Sequence, residues 1–151
     1  MPDRVAFNHV GQCVTDLERS KRFYVELLEF TEAREIHPPD ELSARLLQLS
    51  PPLGMTASYL ERDGFVLELI HYAKPTASGE RAPRAMNRLG LSHLSMRVVG
   101  ADAVAARLVA LGGRVLEQTR IENPELDASA VFVLDPDGTR IELFDSDRAI
   151  A

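Results

Sequence analysis

The chain has 151 residues, which is enough for one compact domain or for two small fused units. Its formal net charge of −6 leaves no basic surplus to neutralise phosphates, which argues against general nucleic-acid binding. No apolar run approaches the roughly 18 residues that a membrane span needs, and the first residues lack the apolar stretch of a signal peptide. Cys13 is the only cysteine, which excludes an internal disulfide and a cysteine zinc cluster. We therefore expect a cytoplasmic protein that binds neither nucleic acid nor membranes.

The first half of the chain predicts a strand, a helix, a second strand and a hairpin. Val5 to Val14 is the first strand, and Thr15 with Glu18 forms a capping box for a helix that ends near Glu29. The remaining predicted segments are an extended stretch at 30–37, a short helix at 41–49 with Leu42, Leu46 and Leu49 at helical spacing, and a hairpin of 55–61 and 65–72 about Arg62-Asp63-Gly64.

The second half predicts the same order of elements after a stretch without apolar periodicity, Ala73 to Arg88, which is typical of a linker. Its predicted segments are a strand at 91–99, a helix after Gly100 that stops at Gly112-Gly113, an extended stretch at 114–121, a loop at 122–129, and a hairpin of 130–134 and 139–144.

Both predicted hairpins place a glutamate at the same distance from an Asp-Gly turn. Asp63-Gly64 precedes Glu68, and Asp137-Gly138 precedes Glu142. The first strand of each half also carries a histidine, His9 and His93. The spacing from histidine to glutamate is longer in the first half, and the additional helix at 41–49 accounts for the difference. The sequence thus predicts two copies of one unit.

These four residues make a candidate metal centre. If the two halves pack symmetrically, His9, Glu68, His93 and Glu142 converge on one point. Two imidazoles and two carboxylates form a suitable first coordination shell for one divalent ion, Zn²⁺, Ni²⁺, Co²⁺, Mn²⁺ or Fe²⁺. Two buried glutamates without a cation would be costly.

Three further side chains share the predicted faces of these ligands. Arg97, Arg140 and Tyr72 are candidates for holding an anionic tail of a substrate. The alternative for each arginine is an ordinary position at the surface or at a sheet edge.

The chain resembles the vicinal oxygen chelate superfamily, which includes glyoxalase I, methylmalonyl-CoA epimerase, extradiol dioxygenases and bleomycin-resistance proteins. The resemblance is carried by Asn8-His9-Val10-Gly11, by Gly90-Leu91-Ser92-His93-Leu94 and by Asp135 to Leu143, and it covers nearly the whole chain. It implies an α+β fold of two βαβββ modules, whose curved mixed sheets form a metal-binding cleft. In this interpretation residues 1–151 are one glyoxalase-like domain, with module 1 at about 4–74, a linker at about 75–88 and module 2 at about 89–146.

The resemblance also implies an activity. The ligand set His9, Glu68, His93 and Glu142 is most similar to that of the glyoxalase I and epimerase branch, whose members are lyases or isomerases. They move a proton next to a carbonyl through a metal-stabilised enediolate, with Glu68 or Glu142 as the candidate base. The alternatives are an Fe(II)-dependent extradiol dioxygenase, in which Glu68 would stand off the metal, and a binding or resistance protein without catalysis.

The expected partners are a small-molecule substrate and a second copy of the chain. In the superfamily the paired modules come from one chain or from two, and the linker is long enough for either. A homodimer is the expected state because half-open sheets leave strand edges and apolar faces to cover.

Overall fold

The computed structural model describes residues 4–125 and 127–146. The chain forms two compact units, Met1–Ser78 and Gly79–Ala151. The expected lack of a signal peptide concerns the first residues of the chain, of which residues 1–3 lie outside the described residues. No helix in the described part of the chain is both long enough and apolar enough to span a membrane.

The first unit is a mixed sheet with helices on its two faces. The sheet order is β1-β4-β3-β2; β1 is parallel to β4 and the other pairs are antiparallel. Its elements are β1 Val10–Cys13, α1 Leu17–Arg22 continued by a π-helical turn Phe23–Leu27, β2 Thr31–Ile36, α2 Asp40–Leu47, β3 Thr56–Arg62 and β4 Phe65–His71.

Helix α1 packs against β4 on the face of the sheet that carries Leu67 and Leu69. Helix α2 covers part of the opposite face, because Ala44 belongs to a buried cluster with Leu53, Met55, Ala57 and Tyr59. The first unit therefore buries apolar side chains on both faces of its sheet.

The second unit repeats this order with one helix. Its sheet order is β5-β9-β8-β6; β5 is parallel to β9, the other pairs on this path are antiparallel, and β7 pairs with the remainder of β8. Its elements are β5 Leu94–Val98, α3 Ala101–Ala110, β6 Arg114–Val115, a 3₁₀ turn Glu117–Thr119, β7 Ile121–Asn123, β8 Ala128–Leu134 and β9 Arg140–Ser146.

The predicted α+β fold with two modules of one topology is confirmed, because both sheets place the first strand of the unit beside its last strand. The additional helix of the first unit is also present, at the position that the unequal His–Glu spacing indicated.

Several predicted boundaries are wrong. The first strands of the units begin at Val10 and Leu94, so His9 and His93 lie just before them. The first pair of the parallel ladder is Val10 with Leu67 in the first unit and Leu94 with Ile141 in the second. The N-cap of α1 is Asp16, whose Oδ1 accepts a hydrogen bond from the Arg19 backbone N–H at 3.0 Å, and Thr15 instead accepts from the Arg19 side chain.

The predicted apolar stripe of α2 is also wrong. Leu42 and Leu46 are exposed, whereas Ser43 and Ala44 are buried. The helix spans Asp40–Leu47, and its C-cap residue, Gln48, has a left-handed backbone conformation. Small side chains on this helix allow it to lie close to Ala57 on the sheet.

Between the helix of the second unit and its last hairpin, the predicted loop at 122–129 instead contains the end of β7 and the start of β8. The predicted extended stretch at 114–121 is interrupted by the 3₁₀ turn. The predicted linker has no helix or strand among its described residues.

Candidate metal centre

The first unit brings His9 and Glu68 together. His9 Nε2 lies 3.0 Å from Glu68 Oε2, and Glu68 is buried. The other ring nitrogen of His9, Nδ1, is buried and has no hydrogen-bond partner among the described residues. A buried imidazole nitrogen without a partner is costly, which makes this pair suited to a ligand that the protein side chains do not themselves supply.

Tyr59 fixes the orientation of the Glu68 carboxylate. Its hydroxyl donates a 2.6 Å hydrogen bond to Glu68 Oε1, so the two carboxylate oxygens have separate partners. Burial raises the pKa of the Tyr59 hydroxyl, and the hydrogen bond to Glu68 raises it further. The phenol therefore remains a hydrogen-bond donor at neutral pH. The His9 ring lies edge-on to the Tyr59 ring, with the centroids 5.6 Å apart.

These side chains occupy one row across the sheet. The register pairs Gly11 with Glu68, Glu68 with Tyr59, and Tyr59 with Arg34. Gly11 keeps the space beside the carboxylate open, since a Cβ at this position would lie 3.5 Å from Glu68 Oε2 and 3.3 Å from Ile70 Cδ1. The row therefore presents a guanidinium, a phenol and a carboxylate on one face of the sheet.

The second unit holds its glutamate in a different way. Glu142 Oε2 accepts a 2.6 Å hydrogen bond from the Ser95 hydroxyl on the neighbouring parallel strand. Its partner on the hairpin strand is Phe132, against which the His93 ring packs edge-on at a centroid distance of 5.3 Å. His93 Nδ1 lies 2.9 Å from Ser92 Oγ, and within the described residues His93 makes no ion pair with Glu142.

Of the four predicted ligands, His9 and Glu68 are in contact in the first unit. In the second unit His93 and Glu142 both lie beside Phe132. Within the described residues, no three His, Cys, Asp or Glu side chains are grouped closely enough to hold a metal ion. The four-ligand centre therefore stays a prediction. The donors themselves fit a divalent ion of the first transition series, because imidazole and carboxylate are its common ligands.

The predicted substrate-binding residues have different environments. Arg97 is exposed on β5, opposite Phe144. Arg140 is half-buried on β9; its Nη2 donates to the Arg84 backbone carbonyl at 3.0 Å, and its guanidinium carbon lies 5.1 Å from the centre of the Phe132 ring. Burial raises the pKa of the Tyr72 hydroxyl, as do the charges of Cys13 and Glu68. Their role in binding a substrate stays a prediction.

Sequence reasoning missed Tyr59 and Ser95. A two-residue Asp63-Gly64 turn fixes the hairpin register and places Tyr59 opposite Glu68, so counting outward from the turn would have found it. Ser95 lies two residues beyond His93 and therefore shares its side of the strand, but its pairing with Glu142 depends on the parallel register, which no local turn determines.

Residues 6–143 match the sequence profile of the Glyoxalase/Bleomycin resistance protein/Dioxygenase superfamily. The chain belongs to this superfamily. The uncharacterized protein YwkD of Bacillus subtilis (strain 168) is 28% identical over 141 residues, which cover 93% of this chain and 96% of YwkD. The predicted membership of the vicinal oxygen chelate superfamily is therefore confirmed.

Solved structures of the superfamily have the same fold. A glyoxalase family protein from Bacillus cereus has a TM-score of 0.79 at 15% identity, covering 96% of this chain and 97% of that protein. The trypanothione-dependent glyoxalase I of Leishmania major has a TM-score of 0.62 at 23% identity, covering 91% and 84%. The fosfomycin resistance protein FosX from Listeria monocytogenes, solved with Mn(II) and sulfate, has a TM-score of 0.57 at 14% identity, covering 95% and 94%. The superfamily therefore includes enzymes and proteins that bind divalent metals.

Proposed function

We propose that the protein is a divalent-metal-dependent lyase or isomerase of the glyoxalase I or acyl-CoA epimerase type, with His9, Glu68, His93 and Glu142 as the metal ligands. The observation that carries this proposal is the buried contact between His9 and Glu68, with Nδ1 of the same histidine left without a partner in the described structure. A His–Glu pair at the matching positions of the second unit gives the proposal its second pair of donors.

When bound, the metal would act as a Lewis acid toward vicinal oxygens of the substrate and would favour loss of a proton from the carbon next to a carbonyl. The protein side chains supply the base and the orientation. His9 and His93 would supply imidazole ligands, and each ring packs edge-on against an aromatic ring, Tyr59 and Phe132 respectively. This packing limits rotation of the imidazoles and keeps their ring nitrogens in place.

The surroundings of the two glutamates assign them different tasks in this proposal. Glu68 is buried, and its two oxygens contact the Tyr59 hydroxyl and His9. Glu142 is half-exposed, and Ser95 bonds only its Oε2, with no partner for Oε1 among the described residues. We assign Glu68 as the fixed ligand and Glu142 as the ligand that would also serve as the base, because a carboxylate held by a single hydrogen bond is freer to turn toward the substrate proton.

The relatives support the chemical class without defining the substrate. The Leishmania major structure is a glyoxalase I, and the Listeria monocytogenes FosX structure contains Mn(II). Both have the fold of this chain, in which each unit pairs its first strand with its last. In this chain that pairing sets Gly11 beside Glu68 and Ser95 beside Glu142.

Metal analysis of protein purified without chelator tests the proposal. We expect one divalent ion per site, lost in His9→Ala and His93→Ala and retained in the control His37→Ala, since His37 is an exposed side chain bonded to Thr56. The substrate panel is methylglyoxal with glutathione, methylmalonyl-CoA and a catechol. Turnover of either of the first two with Zn²⁺, Ni²⁺ or Co²⁺ supports the proposal. Fe(II)-dependent O₂ uptake on the catechol would assign the extradiol reaction instead, and the absence of stoichiometric metal would falsify the enzyme proposal.

A homodimer is part of the same proposal. If the paired modules come from two chains, a mixture of His9→Ala and Glu142→Ala proteins assembles some centres from intact halves only. Activity would then rise above that of either variant alone after mixing and refolding. No recovery is expected if both modules of one centre belong to one chain.

A further inference from the structure

A β-bulge in strand β2 turns Arg34 toward the face of the sheet that carries Glu68. The pairing of β2 with β3 runs from Thr31–Glu61 to Glu32–Leu60 and then shifts by one residue, so that Arg34 is opposite Tyr59. Without the shift Ala33 would be opposite Tyr59, and Arg34 would point to the other face, where Lys21 of α1 bonds Glu32 and Glu35. Bulges of this kind re-aim a side chain at the cost of ladder hydrogen bonds, and they are common beside active sites.

The re-aimed guanidinium lies against the Tyr59 ring but is not neutralised. The Arg34 guanidinium carbon lies 4.2 Å from the centre of the ring, a distance at which the ring stabilises the cation. Arg34 is exposed, and it makes no ion pair with any acidic side chain in the described part of the chain. Other arginines do form ion pairs, such as Arg120 with Asp102 at 2.8 Å and Arg62 with Glu29 at 3.2 Å.

The corresponding place in the second unit is apolar. There Leu116 donates its backbone N–H to the Phe132 carbonyl, which sets it beside the ring that matches Tyr59, and Leu116 is buried. The ring of the second unit has an arginine from a different strand, Arg140 on β9, whose guanidinium carbon lies 5.1 Å from the ring centre and whose Nη2 donates to the Arg84 carbonyl at 3.0 Å. An arginine that reaches the matched ring from the bulged outer strand is therefore particular to the first unit.

We propose that Arg34 determines substrate specificity by binding a carboxylate group of the substrate, next to the metal centre to which Glu68 contributes. The inference rests on the proposed function, since it places the carboxylate on a molecule whose vicinal oxygens are at that centre. A guanidinium fork matches the two oxygens of a carboxylate, and this bond fixes the orientation of the substrate. Arg34 is on the second strand from that of Glu68, which separates the two backbones by about 10 Å, or two strand spacings. A short spacer of two or three methylenes between the carboxylate and the vicinal oxygens fits that separation.

Hydroxamates test this inference because they chelate divalent metals through vicinal oxygens. Calorimetric titration of the Zn²⁺-loaded protein would compare butanohydroxamate with succinic and glutaric monohydroxamates; the succinic compound replaces the terminal methyl of the first by a carboxylate. We expect wild-type protein to bind at least one of the carboxylate compounds about tenfold more tightly than butanohydroxamate.

Arg34→Met keeps the apolar stem on the Tyr59 ring and removes the charge. We expect it to lose the preference for the carboxylate and to bind butanohydroxamate as wild type does. Arg34→Lys should keep part of the preference, and the control Arg45→Met, at an exposed position of α2, should keep all of it. Thermal unfolding of the four proteins should be similar, because both arginines are exposed.

The outcomes separate the two proposals. Equal binding of methyl and carboxylate compounds by wild-type protein, or an unchanged preference in Arg34→Met, overturns the role of Arg34 and leaves the metal centre intact. If no hydroxamate binds because the protein takes up no Zn²⁺, the metal centre and the inference both fail.

Discussion

The two units share a strand order and a His–Glu pair, but they surround the glutamate in different ways. Glu68 is buried and accepts a hydrogen bond from the Tyr59 hydroxyl, which lies on the antiparallel hairpin strand. Glu142 is half-exposed and accepts a hydrogen bond from the Ser95 hydroxyl, which lies on the parallel strand. The carboxylate therefore occupies the same position in both units, but the hydroxyl that bonds it comes from a different strand.

Helix α2 lies on the face of the first sheet that carries Glu68, and the described part of the second unit has no counterpart of this helix. Its Ala44 joins Met55, Ala57 and Tyr59 in a buried cluster on the same face as Glu68. The second unit has a 3₁₀ turn and the short strand β7 between β6 and β8. A covered carboxylate with two partners is suited to holding a ligand in place, whereas an open one with a single hydroxyl partner retains the freedom to move a proton.

The largest effects are expected when each glutamate carboxylate is replaced by the uncharged amide of glutamine. At saturating Zn²⁺, Glu142→Gln should lower the rate of proton exchange at the substrate carbon by about 10²–10⁴-fold, since the base is lost. Glu68→Gln should chiefly lower Zn²⁺ affinity, by about 100-fold. When Zn²⁺ is added, its rate of proton exchange should rise closer to the wild-type rate than that of Glu142→Gln. Exchange of substrate hydrogen with D₂O, followed by NMR, measures the first effect and calorimetry the second. The reverse pattern would exchange the roles of the two residues.

The hairpin turns provide a second comparison. Gly64 and Gly138 both have positive φ, but a Cβ on Gly64 meets nothing within 4 Å, whereas one on Gly138 overlaps the Arg81 backbone carbonyl. Gly64→Ala should cost about 1 kcal/mol from backbone strain, and Gly138→Ala about 2–4 kcal/mol because overpacking adds to the strain. Urea unfolding followed by circular dichroism measures both. Equal losses would mean that the segment around Arg81 moves aside freely.

The sequence predicts the fold well because its signals are local and repeated. Asp-Gly turns set both hairpins, and alternation of apolar residues set their inward faces. The bulge that reorients Arg34 has no local signal, since nothing in Thr31 to Ile36 marks an additional residue in the ladder. The outward-facing leucines of α2 show a similar limit: helical spacing identified the helix, but which side packs depends on the shape of the sheet beneath it.

For the site, comparison of the two halves drew attention to the residues that repeat and missed those that do not. His9 and Glu68 are in contact, and the convergence of all four predicted ligands stays a prediction. Tyr59 and Ser95 occur at positions whose counterparts are Phe132 and Gly11, so comparing the halves draws no attention to either. Hydroxyl donors that differ between repeats become visible only when the register of both sheets is known.

Exchanging Tyr59 for Phe and Phe132 for Tyr tests whether the Tyr59 hydroxyl holds the Glu68 carboxylate in place. Tyr59→Phe copies the residue found opposite Glu142 and leaves buried Glu68 Oε1 without its donor. We expect Zn²⁺ affinity to fall by about tenfold, as it does when an outer-shell partner of a ligand is removed. Phe132→Tyr adds a hydroxyl opposite Glu142 and should slow proton exchange by about threefold, because the carboxylate is held more firmly. Unchanged Zn²⁺ affinity in Tyr59→Phe would show that the hydroxyl does not position Glu68.

The smallest expected effect concerns how each unit attaches its helix to its sheet. Helix α1 is capped by Asp16 next to its own first turn, whereas the N-cap of α3 is Gly100, and Asp145 on β9 accepts from the Gly100 and Ala101 N–H groups at 3.3 and 2.7 Å. Asp16→Ala should cost about 1 kcal/mol as an ordinary lost cap. Asp145→Ala should cost somewhat more, about 1–2 kcal/mol, because one carboxylate satisfies two N–H groups and joins helix to strand. Hydrogen exchange of the first α3 amides, compared with those of α1, would show whether the loss is confined to the helix end. Protection lost throughout β9 in Asp145→Ala, but not throughout β1 in Asp16→Ala, would show that the second unit depends on this link between its helix and the strand that carries Glu142.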